Sequence, residues 1–109
     1  MLKAILDNPI KECILLIILE EKEAYAREIA LRLNKYLLSI QKQLKKLEYG
    51  GVLCSKLMGR TRIYSFNPRY PFLAELKALL KRSIDFMNTQ EKEALFVGRT
   101  RPRRSGKPI

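Results

Sequence analysis

Residues 25–67 read YAREIALRLNKYLLSIQKQLKKLEYGGVLCSKLMGRTRIYSFN, and how this stretch divides decides the fold. Ile29, Ala30 and Leu33 fall on one face of a helix beginning near residue 24 or 25. Asn34-Lys35-Tyr36 breaks that pattern, and Asn34 tolerates the left-handed conformation that ends helices. A second helix is expected over about residues 37–49, because Ile40, Leu44 and Leu47 recur at i, i+4 and i+7 as one apolar stripe. At about 100° per residue, Leu38, Ser39, Lys42, Lys45 and Lys46 lie opposite that stripe, and Gln41 and Gln43 flank it. Gly50-Gly51 stops the helix. Residues 52–57 then have strand composition, with Val52, Cys54 and Lys56 alternating against Leu53, Ser55 and Leu57. Met58-Gly59-Arg60-Thr61 supplies a turn, and residues 62–66 return through Ile63, Tyr64 and Phe66. The stretch therefore reads as helix, tight turn, helix and hairpin, with Arg60 at the hairpin tip.

Upstream, Asn8 can cap a helix whose first position is Pro9, where the missing proline amide is harmless. That helix runs to about residue 21, and Ile10, Cys13, Ile14, Leu15, Ile17, Ile18 and Leu19 cover much of its circumference. Such a helix is either central to its domain or covered by a partner chain. A small helical domain rarely covers one helix on all sides, so a dimer is expected. An acidic link, Glu20-Glu21-Lys22-Glu23, joins it to the next helix.

Downstream, Asn67-Pro68-Arg69-Tyr70-Pro71 is a rigid connector, since each proline biases the residue before it away from helix. A fourth helix is expected over about residues 72–87, with Phe72, Leu73, Leu76, Leu79, Leu80 and Ile84 at helical spacing. Asn88-Thr89 is placed to cap a last short helix reaching Leu95 or Phe96. From Gly98 the chain is basic, with no apolar residue before Ile109, and is expected to be disordered in isolation. The expected fold is mainly α with a small β-hairpin wing. It comprises a winged helix-turn-helix domain over residues 1–88, framed by N- and C-terminal dimerisation helices, then a short helix and basic tail over residues 89–109.

The 109 residues carry a formal charge of +11, and its placement matters more than its size. Residues 1–34 hold five basic and six acidic side chains. Residues 35–62 hold seven basic ones (Lys35, Lys42, Lys45, Lys46, Lys56, Arg60, Arg62) against Glu48 alone, and the tail after residue 97 adds five more with no acid. Solubility alone requires no such blocks, so a polyanion, and nucleic acid first among them, is the expected partner. An anionic membrane usually needs an apolar anchor beside the basic cluster. The longest apolar run, residues 13–19, falls far short of the roughly 20 residues that span a bilayer. With no signal-peptide pattern at residues 1–9, a cytoplasmic location without membrane association is expected.

Cys13 and Cys54 sit in apolar segments far apart in sequence and read as free buried thiols, with a redox switch as the alternative. Histidine is absent, which removes the commonest transition-metal ligand and the usual general base. With scattered acids and no glycine-rich phosphate loop, no constellation joins a nucleophile, a base and an oxyanion site. No enzyme, metal site or cofactor is expected. Tyr49, Tyr64 and Phe66 read as packing or capping residues, and Arg27 and Glu28 as exposed helix surface that could also touch phosphate.

A helix, a short break and a second helix form the helix-turn-helix arrangement, whose second helix enters the DNA major groove while the following hairpin lies against the backbone. Lys42, Lys45 and Lys46 could merely solvate an outer face, but they lack the interspersed acids of an ordinary solvated helix. They are expected to contact phosphates or base edges, with Ser39 and Gln41 reading bases and Arg60 and Arg62 clamping the backbone at the wing. In the tail, Arg99, Arg101, Arg103, Arg104 and Lys107 could follow a groove or phosphate track, or simply solubilise the chain.

The runs at residues 26–33 (AREIALRL) and 43–53 (QLKKLEYGGVL) resemble winged helix-turn-helix transcriptional regulators of the ArsR-like group. Residues 64–72 (YSFNPRYPF) with Glu75-Leu76-Lys77 are similar to a subset of small regulators of that kind. The resemblance covers about residues 3–87 and implies a prokaryotic homodimer built from its first and last helices, with paired recognition helices on a partly palindromic operator. The chain departs from the metal-sensing members, having no cysteine pair in the second helix of the motif and no histidine near the terminal helices. The function expected is sequence-specific binding of double-stranded DNA as a homodimeric transcriptional regulator, with repression the expected sign. The alternatives are a winged-helix adaptor for an acidic or companion protein, and an RNA binder.

Overall fold

A computed structural model describes residues 2–97; the tail with Arg99, Arg101, Arg103, Arg104 and Lys107 lies outside the described residues. The elements in order are α1 (Lys3–Leu6), α2 (Pro9–Glu21), β1 (Glu23–Tyr25), α3 (Ala26–Leu33), α4 (Leu37–Tyr49), β2 (Leu53–Met58), β3 (Thr61–Phe66), α5 (Leu73–Asp85), α6 (Thr89–Lys92) and a π-helical turn, Glu93–Val97. The three strands form an antiparallel sheet in the order β1-β3-β2. The fold is mostly helical with a small sheet, the expected class.

Asn8 starts α2 as its type predicts. Its Oδ1 accepts from the amides of Ile10 at 2.8 Å and Lys11 at 3.3 Å, and Pro9 takes the position where no amide is needed. Ile14, Leu15, Leu16, Ile17 and Ile18 are all buried. Successive helical residues turn by about 100°, so five in a row leave no side of the helix wet. The neighbours that cover it come from the same chain: α4, α5, the sheet, and the π-helical turn that returns Leu95 to the core. The burial of this helix therefore calls for no partner chain, because α2 is the central helix of one chain.

The sheet is larger than the expected hairpin by one strand. Lys22 adopts φ 75°, turning the chain out of α2 so that Glu23, Ala24 and Tyr25 pair with Ser65, Tyr64 and Ile63. The link read as acidic coil thus contains β1. Ala24, 3% exposed, packs inward while Glu23 and Tyr25 stay outside, so a single small residue carries the apolar signal. β2 begins at Leu53 and pairs Leu53 with Phe66 through Met58 with Thr61.

Asn34 closes α3 at φ 55°, ψ 50°, the left-handed conformation expected of it, and the amide of Lys35 donates to the Ala30 carbonyl at 3.0 Å. Ile40, Leu44 and Leu47 form the buried stripe of α4. Gly51, at φ 85°, turns the chain towards β2, and Asn67 Nδ2 donates to the Gly51 carbonyl at 2.9 Å. The connector after the sheet is therefore tied to the turn before it. Downstream, α5 is shorter than the expected helix at both ends. Asn88 and Glu91 form a reciprocal cap at the start of α6.

Three side chains depart from their expected roles. Tyr49 is 96% exposed and neither packs nor caps, because it stands about 180° round α4 from Ile40. Cys13 and Cys54 are free but half-buried rather than fully buried.

Candidate nucleic-acid interface

The outer face of α4 carries Gln41, Lys42, Lys45 and Lys46, all exposed, while Ser39 is half-buried towards the side of Gln43. Arg60 and Arg62 are exposed on the hairpin. The register of the sheet decides how these parts meet. Because β1 runs from Ser65 towards the hairpin tip and Tyr25 pairs with Ile63, the first turn of α3 is carried to the middle of the hairpin, opposite the groove-side edge of α4.

A groove of about 800 Å³ results. Arg27 from α3, Gln41 and Lys45 from α4, and Arg60 and Arg62 from the hairpin line it, over a floor that includes Leu37, Ile63 and Tyr64. Four cations from three elements face one concave surface, which suits a run of phosphates. Of the residues expected at an interface, the groove brings together Gln41, Lys45, Arg60 and Arg62. Lys42, Lys46 and Ser39 lie round the helix, away from it.

Arg27, expected as exposed helix surface that could also touch phosphate, lines the groove. Nothing local in the sequence distinguishes it, since its place depends on the long-range pairing of β1 with β3.

The only acid of α4 is partly absorbed into the scaffold. Ser55 Oγ donates to Glu48 Oε2 at 2.7 Å, and Arg62 Nη1 donates to Ser55 Oγ at 3.0 Å. The chain from Glu48 to Arg62 joins the last turn of α4 to the hairpin and sets one guanidinium beside the groove. Tyr64, in the floor, has its hydroxyl pKa pushed up, first by burial and then by the Glu48 carboxylate, with Arg62 acting against both.

Arg32, behind the interface, is the principal buried charge. Its side chain is fully buried, and Nη2 lies 3.3 Å from Glu21 and 3.4 Å from Glu28. Arg32 also lines a second cleft of about 400 Å³ with Cys13, Leu16, Phe86 and Met87, and its Nε and Nη1 have no hydrogen-bond partner. Burial pushes the Cys13 thiol up, and Glu12 adds to the shift. The thiol is thereby kept from becoming a reactive thiolate. Among the described residues no three His, Cys, Asp or Glu side chains are grouped to hold a metal, and no helix is long and apolar enough to cross a membrane.

A helix, a left-handed turn, a second helix and a hairpin packed round one core define a winged helix-turn-helix protein. No family model matches the chain, and no curated protein matches it significantly. Solved structures do match. ZitR of Lactococcus lactis, a double mutant in its apo form, superposes with a TM-score of 0.53 at 19% identity, over 76% of this chain and 71% of that one. The adhesin competence repressor AdcR of Streptococcus pyogenes superposes with a TM-score of 0.53 at 17% identity, over 84% of this chain and 78% of that one. At such identities the likeness establishes the winged helix-turn-helix fold.

Proposed function

We propose that the chain is a sequence-specific double-stranded DNA-binding transcriptional regulator that represses as a homodimer. The observation that carries this reading is the groove in which Arg27, Lys45, Arg60 and Arg62, from three elements, face one surface. Cations gathered from three elements on one concave surface suit neutralisation of a run of phosphates, which the solvated outer face of a single helix does not require. Support for the regulatory role comes from the resemblance of residues 26–33 and 43–53 to winged helix-turn-helix regulators and from the repressor named among the structures of the same fold. No catalytic step is assigned to the chain, and its proposed place is the cytoplasm, with the DNA.

In this mode α4 enters the major groove and the hairpin holds the adjacent backbone. With about five phosphates neutralised per subunit, log affinity falls with log salt at about −0.9 per contact. Lys45→Gln and Arg60→Gln should each lower that slope by about one contact per subunit and weaken binding to all duplexes alike. Fluorescence anisotropy on random-sequence duplex across a salt series measures this. An affinity that ignores salt, or duplex RNA competing as well as DNA, would overturn the reading.

An adaptor role draws on a separate observation, the exposure of Leu31, Tyr36 and Tyr49 around the motif. Selection of bound fragments from random duplex DNA separates the two. An enriched inverted repeat with half-sites about one helical turn apart belongs to the regulator, and no enrichment belongs to the adaptor.

A further inference from the structure

The outward apex of α4 is not a row of cations. Placed about the Ile40, Leu44 and Leu47 stripe at about 100° per residue, the positions farthest from the core are Leu38, Lys42 and Tyr49. Leu38 is 72% exposed, in the first turn of the helix and one turn before Lys42. Ser39 and Gln41, the residues expected to read bases, sit elsewhere: Gln41 faces the hairpin groove and Ser39 is half-buried. The apex of the first turn is therefore hydrocarbon, set in a cationic face.

Resting on the DNA-binding reading above, we propose that Leu38 determines specificity by packing on the C5-methyl group of a thymine in the major groove. The first turn of a recognition helix is the part that meets base edges. The hydrogen-bonding edges of the base pairs offer donors and acceptors, which an isobutyl group cannot use, and the thymine methyl is the apolar feature among them. Contact with it removes apolar surface from water on both partners. Lys42, one turn further on, adds a cation to the same apex. Each half-site consequently contains a thymine opposite the start of α4, and cytosine or guanine there leaves Leu38 against a polar edge.

The test replaces thymines one at a time by deoxyuridine in a duplex selected by the full chain, which deletes the methyl and leaves the pairing edge intact. One position per half-site should weaken binding about fourfold, or about 0.8 kcal/mol at about 1.4 kcal/mol per tenfold. The same replacement should cost the Leu38→Ala variant nothing. Leu38 is largely exposed, so the variant keeps the fold, which its thermal unfolding checks. If every uracil duplex binds like its thymine parent, or if the loss persists in full in Leu38→Ala, the proposal is overturned while DNA binding stands. If no duplex binds in a salt-dependent way, the functional reading fails and this inference falls with it.

Discussion

Arg32 shows how little a residue's type reveals about its environment. It lies in the last turn of α3 in a run that reads as amphipathic surface, yet its side chain is fully buried against Glu21 and Glu28. Taking a guanidinium out of water is costly unless the charge is matched, and here two carboxylates converge on one nitrogen. Arg32→Ala takes that guanidinium away from both carboxylates and leaves an unfilled space, and urea unfolding should show a loss of about 3 kcal/mol. Arg27→Ala, at an exposed site on the same helix, should fall within about 0.5 kcal/mol of the parent chain. Equal losses for the two would refute the structural role given to Arg32. The α3 spacing placed Ile29 and Ala30 in the core correctly, but Glu21, which fixes Arg32, is eleven residues away on another helix.

At the level of elements, backbone conformation at two punctuation points shapes the interface. Asn34 ends α3 in the left-handed region, and Gly51 ends the α4 turn at φ 85°. A Cβ at Gly51 would meet nothing within 4 Å, so any penalty of substitution there is conformational rather than steric. Gly51→Ala should lower stability by about 1–2 kcal/mol, read from the urea midpoint with an unchanged m-value. A neutral effect would mean that the turn relaxes without strain. These breaks, the stripe of α4 and the β2–β3 hairpin were legible because each rests on local chemistry. β1 was not legible: three residues with one small inward side chain carry no period, and their strand character comes wholly from pairing with β3.

Across the whole molecule, the five buried residues of α2 are accounted for within one chain, so they no longer argue for a partner. The proposed homodimer must use what the chain leaves outside, and the exposed apolar side chains away from the α4 face include Ile5, Phe72 and Phe86. Sedimentation velocity should give twice the chain mass, and Ile5→Glu combined with Phe86→Glu should shift the boundary to a monomer that keeps its thermal transition. A parent chain that sediments as a monomer at micromolar concentration would remove the dimer from the functional reading. By itself, the sequence determined the class of the elements, the helix breaks and the sign of the charge on α4 and the hairpin, because periodicity, capping and side-chain charge act over a few residues. Only the tertiary structure decided that Arg27 joins Lys45, Arg60 and Arg62 in one groove while Lys42 and Lys46 stand outside it. That arrangement depends on β1 pairing with β3 across some forty residues of chain, and pairing at such a separation reflects the collapse of the whole core around α2 rather than any local preference.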